Sequence, residues 1–320
     1  MHKLFALTKN TFIETIRQPV YAIIIAAALL LLFISPSLAM YTMGEDNKLL
    51  REIGLSTLFL ASLFIAIFSA SGAVAEEIED KTVITVLSKP VRRPIFIIAK
   101  FLGVTAAVTL AHYICTIGLL MAIRHGVLEA VDDTHDWTVL GSALVIITLT
   151  FILSAFLNYA YDWKLSSTAI ILTALFTTLC LIFLAFIDRN WQFNPRNNGI
   201  NALDVYGSIL LFFAAIVVVA LALAFSGRFN IVVTLSACIG IFLLGLVNDY
   251  VFGRFAHQHL WARIGRFLVP NLQVFWISDA IYEASDVPLK YILISACYAL
   301  CYTTAVLALA IALFQRRQIG

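Results

Sequence analysis

Residues 75–103 read AEEIEDKTVITVLSKPVRRPIFIIAKFLG. Four acids, Glu76, Glu77, Glu79 and Asp80, lead this stretch; Lys81 follows, then a short β-branched and leucine run, and Lys89, Pro90, Arg92 and Arg93 close it. A long apolar segment ends just before the charges and another begins just after them, so the stretch reads as a loop between two membrane spans. Basic residues beside a span mark its cytoplasmic side. Residues 82–87 are too few to cross a bilayer and too apolar for a plain solvated linker, which predicts a segment lying along the membrane surface or in a partner's groove.

Composition extends the membrane reading to the whole chain. With 62% hydrophobic and only 12% charged residues over 320 positions, one soluble core cannot hide the apolar surface, and lipid must solvate it. A net charge of +2, with basic residues scattered over loops, argues against nucleic acid as a partner. The cysteines, Cys115, Cys180, Cys238, Cys297 and Cys301, all fall inside apolar segments without ligand spacing, and read as small core residues without disulfides.

Taken in order, residues 1–19 predict an amphipathic helix in the interface, with Leu4, Phe5, Phe12, Ile13 and Ile16 on one side and Lys3, Asn10, Glu14 and Arg17 towards the other. The small-x-small triplet at Ser37, Leu38 and Ala39 invites a signal-peptide reading, but the leading region is long and carries Glu14, so it is expected to be retained. Spans are predicted at 20–41, bent by Pro36, and at 54–74, 95–123, 138–160, 165–187, 205–225, 231–251 and 291–314. Residues 44–52 and 188–204 read as polar loops, and 161–164 as a tight turn that is a second cytoplasmic contact candidate. Residues 252–290 form a loop of mixed character, in which RFLVPNLQVFWISDAIY (266–282) reads as a short amphipathic or re-entrant element.

Charge sets the sidedness. With both termini inside, the inner segments carry twelve basic and six acidic residues and the outer ones nine and thirteen, the sign that the positive-inside rule requires. The spans themselves are nearly free of ionisable groups. His112 lies well inside the third, where a hydrogen bond to a neighbouring helix's hydroxyl explains it better than a relay role, and Asp249 lies towards the outer end of the seventh. The outer group His125, Asp132, Asp133, His135 and Asp136, and the pair His257 and His259, lack the spacing of a closed metal site and read as solvated turns; no metal is expected. Ser69, Ala70, Ser71, Gly72 and Ala73 read as a close packing surface, and Phe275, Trp276 and Tyr282 as an interfacial belt.

The order acid, acid, Thr, apolar run, Pro-Val-x-Arg and a Lys opening the next span resembles the cytoplasmic signature of ABC-2 type transporter permeases, the membrane subunits of ATP-driven exporters. The matching residues are Glu77, Glu79, Asp80, Thr82, Leu87, Pro90, Val91, Arg93, Lys100 and Gly103, with LTKNTFIETIRQP near the start and FQRRQIG at the end as further family-like pieces. Lys81 and Ala99 stand where many relatives carry Gly. The resemblance implies an all-α integral membrane protein of about eight transmembrane helices: an interfacial elbow helix at 1–19, then a polytopic transmembrane domain at 20–320 with a cytoplasmic coupling helix at 75–94 and an extracytoplasmic loop at 252–290. It further implies an exporter subunit of the plasma (inner) membrane, multi-pass with both termini cytoplasmic, paired with a second permease subunit as a homodimer and docked on two copies of an ABC ATP-binding subunit.

In that assembly Glu77, Glu79, Lys81, Thr82, Val83, Val86, Leu87, Pro90, Arg92 and Arg93 form the partner-coupling set. Val83, Val86 and Leu87 would fill an apolar groove on the partner, and Glu77, Glu79, Arg92 and Arg93 would fix the register. The acids argue for a protein partner over a bare lipid surface, since acids gain nothing against anionic headgroups. No GxxxxGK[ST] motif occurs, and the longest loop, about forty residues, cannot hold a nucleotide-binding domain. The chain is therefore expected to be no enzyme and to hold no cofactor, with ATP and Mg in the partner subunit. Two alternatives stay open: a secondary transporter or channel working without an ATPase, and a membrane-embedded enzyme using the outer histidines and acids.

Overall fold

The computed structural model describes residues 2–40, 46–76, 93–128, 134–195, 201–256, 258–282 and 287–315. They are mostly helical: α1 (His2–Arg17), α2 (Pro19–Ala39), α3 (Asp46–Ser71), α4 (Arg93–His125), α5 (Trp137–Tyr161), α6 (Leu165–Phe186), α7 (Ala202–Ser226), α8 (Ile231–Leu246), α9 (Leu260–Leu268), α10 (Ser278–Tyr282) and α11 (Leu289–Gln315). One isolated bridge, Ile187 with Phe193, is the β pairing among the described residues. Seven of the helices, α2 to α7 and α11, are long and apolar enough to cross a membrane, and the protein is a multi-pass, all-α membrane protein. The predicted span at 231–251 is shorter than expected: α8 has 16 residues and gives way to a π-helical turn at Asp249–Gly253.

Burial sorts the helices into a centre and a rim. Within their apolar windows, 67% of α3 and of α7 is buried, against 22% of α5, α6 and α11. Lipid tails are as apolar as leucine, so close backbone approach holds such a centre together, and small residues permit it. Accordingly Ala61, Ser62, Ala66, Ser69 and Ala70 of α3 lie buried with Ser208, Ala214, Ala215, Ala220 and Ala222 of α7. Several hydroxyls inside the spans return to the backbone one turn earlier, as Thr57 does to Ile53 and Thr173 to Ala169, which satisfies them without water. Pro36 lies within α2 and removes an N–H; Ser35 Oγ donates to the carbonyl that this leaves open, Leu32 O, at 2.7 Å.

One boundary, the packing of α1 and the burial of the cysteines add to or depart from the predicted pattern. Helix α3 starts at Asp46, so the polar loop expected over 44–52 is largely helix, its charge accommodated where Arg51 Nε meets Asp204 Oδ1 at 2.9 Å. Helix α1 buries Thr11, Thr15 and Ile16 and packs Phe12 against the core while Phe5 is 72% exposed, so its protein-facing side carries threonines beside large apolar residues. The cause is α4: a Cβ on Gly103 would lie 2.6 Å from Thr11 Cβ and 2.8 Å from Thr8 O, a contact too close for anything larger than threonine. Of the cysteines, Cys115, Cys180 and Cys238 are buried free thiols, but Cys297 and Cys301 are exposed on α11 and are not core residues.

The hairpin α5–α6 stands at the edge. Its turn passes through Asp162 in the left-handed region (φ 54°), and Asn158 Nδ2 donates across the turn to Trp163 O at 2.6 Å. It joins α4 through a small separate cluster of Ile117, Met121, Val139, Ile146, Cys180 and Leu184.

Candidate functional site

Glu77, Glu79, Lys81, Thr82, Val83, Val86, Leu87, Pro90 and Arg92 lie outside the described residues; Arg93, the first residue of α4, is described. What can be built from the side chains is the pair of anchors from which that stretch hangs. On the outgoing side α3 ends in a π-helical turn, Gly72–Glu76, and a Cβ on Gly72 would lie 2.6 Å from Gln18 Nε2. On the incoming side Arg93 Nη1 donates to Gln315 O at 2.7 Å, capping the last turn of α11. Phe96 stacks on Phe314 at 5.7 Å with 17° between planes, and Lys100 Nζ lies 5.6 Å over the Phe96 ring. Lys100 also reaches Glu14 Oε2 at 3.9 Å, a long pair with a half-exposed acid that adds little. A displacement of the charged stretch would therefore pull directly on α3 and α4, and through Gln18, Gly103, Arg93 and Phe96 on α1 and α11.

A second polar group joins the central helices. His112 Nε2 lies 2.9 Å from Ser208 O, which can only accept, so this nitrogen carries a proton; Nδ1 lies 2.9 Å from Ser62 Oγ. Thr116 Oγ1 completes the group at 2.6 Å from Ser208 Oγ. Among the described residues His112 bonds hydroxyls and a carbonyl, which makes it a joint between α3, α4 and α7.

The third group is an irregular segment threaded along α11. Tyr302 OH donates to Leu268 O at 2.7 Å, Asn271 N donates to Tyr298 OH at 2.8 Å, and Tyr291 OH donates to Val274 O at 2.6 Å. From the other side Leu272 N donates to Gly245 O at 3.0 Å and Asn248 Nδ2 to Val269 O at 2.7 Å. Tyr302 is the central residue of α11, about 20 Å from either end at 1.5 Å per residue. Non-helical backbone at that depth is tolerated only where protein supplies its hydrogen bonds, and the tyrosines do so. Beside it Asp249 holds Arg266 at 2.9 Å and Asn271 at 2.7 Å, both acid and base about half exposed. Phe275 is fully buried and packs on Tyr298 at 6.0 Å, so it belongs to the core and not to an interfacial belt. Tyr302→Phe is expected to leave Leu268 O unpaired and to destabilise the chain by about 1 kcal/mol, read as a lowered unfolding midpoint in lipid nanodiscs; an unchanged midpoint would remove this tyrosine from the support of the segment.

The fourth group lies at the opposite end of the bundle from α1. Asp136 caps α5, its Oδ1 accepting from Thr138 N at 3.1 Å and Val139 N at 3.3 Å. Arg124 Nε is 3.4 Å from Asp136 Oδ2, and the rest of its guanidinium donates to Leu184 O, to Ile187 O at 2.6 Å and to Thr138 Oγ1 at 3.0 Å. Arg189 reaches the same carboxylate at 3.6 Å. Asp136 is 0% exposed and Arg124 4%, so the solvated turn expected here is, at Asp136, a buried latch between α4, α5 and α6. Asp132 and Asp133 lie outside the described residues, as does His257, while His259 stacks on Trp261 at 6.1 Å. Among the described residues no group of three or more His, Cys, Asp or Glu is placed to hold a metal ion. No protein-family model and no curated protein matches the chain.

Proposed function

We propose that the chain is the membrane-spanning subunit of an ABC-2 type exporter, driven by ATP hydrolysis in a separate ATP-binding subunit. The observation that carries the proposal is the charged stretch at 77–92, hung between two central spans that are each fastened to a further helix. Nucleotide-driven closure of the partner moves the stretch, and α3, α4, α1 and α11 move with it. ATP and Mg belong to the partner, and this chain performs no chemistry.

The eighth crossing is assigned to α8 with its π-helical turn, residues 231–253. The start of α4 contacts both α1 and the end of α11, so these two helix ends lie at one end of the bundle, which supports an even number of crossings. The charge asymmetry of the loops puts that end in the cytoplasm of a cell whose plasma (inner) membrane holds the protein. Two copies, each with its own ATP-binding subunit, enclose the path. The half-exposed pair Asp249 and Arg266 is too costly against lipid at this depth and faces the water-lined side of that path. Purification from native membranes with mild detergent should recover a spanless ATP-binding protein in a one-to-one ratio, and its ATPase rate should change when this chain is reconstituted with it. Recovery of the chain alone, transporting in vesicles without ATP, would replace the proposal with a gradient-driven carrier.

A further inference from the structure

Helix α4 ends at His125, and Gly126 follows in the left-handed region at φ +69°, which glycine reaches without strain. That turn brings Gly126 O to 2.9 Å from His125 Nδ1. A carbonyl only accepts, so Nδ1 carries the ring proton and Nε2 keeps a lone pair. Among the described residues this Nε2 is buried and has no hydrogen-bond partner. A buried acceptor left unpaired costs about 1–3 kcal/mol, so its persistence calls for a cause.

Beside this ring lies a second imidazole. The ring centroids of His125 and His135 are 5.6 Å apart with 40° between planes. A metal–nitrogen bond of about 2.0–2.1 Å puts an imidazole centroid roughly 3.2 Å from the ion, so two such ligands at a tetrahedral angle have centroids about 5 Å apart. His135 is exposed, and a small turn of its ring closes the difference. The backbone is already fixed on both sides. His125 follows Arg124 and His135 precedes Asp136, and these two buried groups are joined at 3.4 Å, so the latch holds the two histidines side by side.

We propose that His125 and His135 form a binding site for a borderline first-row cation such as Zn2+, completed by water. The Nδ1–H bond of His125 to a backbone carbonyl is the outer-shell arrangement that orients a ligating imidazole. Two neutral imidazole nitrogens disfavour Ca2+ and Mg2+, which take oxygen ligands. The site is independent of the exporter assignment.

The test uses the full, tag-free chain in nanodiscs, stripped with a chelator and titrated with Zn2+ by calorimetry. One equivalent should bind at micromolar concentrations and survive excess Mg2+. His125→Gln and His135→Gln should each weaken binding at least about tenfold, while His259→Gln should not. Because His135 is exposed, its variant keeps the fold and separates loss of a ligand from loss of structure. Trp137, whose ring lies 6.2 Å from His135, adds a signal: Zn2+ should change the emission of the native chain and not that of Trp137→Phe. Unchanged Zn2+ affinity in His135→Gln, equal competition by Mg2+, or no binding at micromolar Zn2+ overturns the proposal.

Discussion

Replacement of Arg124 by Met is expected to cost about 3–5 kcal/mol, because it leaves a buried charge without its main partner. Asp136, with no exposed surface, would keep its helix-capping hydrogen bonds but, among the described residues, only Arg189 as a cationic partner, itself 57% exposed, and the carbonyls of Leu184 and Ile187 would lose their donor together. Besides this latch, α5 and α6 reach α4 through one small apolar cluster and the hydrogen bond of Tyr113 OH with Thr178 Oγ1. Arg124→Lys should recover part of the loss: an ammonium can satisfy Asp136 or one carbonyl but lacks the planar fork that meets all of them. Combined with Asp136→Asn, the Met variant should be destabilised by less than the two single changes added, the sign of a direct pair. Thermal unfolding in nanodiscs and the rate of proteolysis at the 161–164 turn measure both. An unchanged midpoint in Arg124→Met would mean that the latch holds nothing.

The helical spans were legible because lipid imposes one rule on a long stretch: about twenty apolar residues in a row, whatever the neighbours. Where the structure depends on one particular partner, that rule is silent. Lys48, Arg51 and Glu52 look like a loop until Asp204 is known to face Arg51. In α1 nothing in the sequence marks Thr8 and Thr11 as the contact with α4, which the bare backbone of Gly103 permits. The latch did leave a signal that the grouping with Asp132 and Asp133 obscured: an Asp directly before an apolar run is an N-cap pattern, and α5 begins one residue after Asp136. Tyr291, Tyr298 and Tyr302 are spaced seven and four apart, one face of a helix offering hydroxyls. Such a stripe within a span points to backbone that needs partners. For the partner-coupling set, what was read in the sequence is its pattern, and what the structure adds is the anchoring of its ends.

Leu87→Asp is expected to abolish the coupling while leaving the protein in the membrane. Leu87 closes the apolar run that the acids lead and the basic residues follow. If the run fills a dry groove on a partner, a carboxylate there costs several kcal/mol, enough to reduce binding by a thousandfold or more at about 1.4 kcal/mol per tenfold. None of the described spans contains this residue, and the anchors at Gln18 with Gly72 and at Arg93 with Gln315 are made by other side chains, so insertion and unfolding midpoint should match the native chain. Glu79→Ala removes only a rim charge, and about 1 kcal/mol or less is expected.

The decisive measurement is the stimulation of the purified ATP-binding subunit by the native and Leu87→Asp chains, each reconstituted in nanodiscs at equal density. The account predicts that the native chain binds the subunit and changes its ATPase rate, and that Leu87→Asp, equally folded and equally inserted, does neither. Full binding and full stimulation by Leu87→Asp would contradict it and leave the charged stretch as a segment lying on the lipid surface.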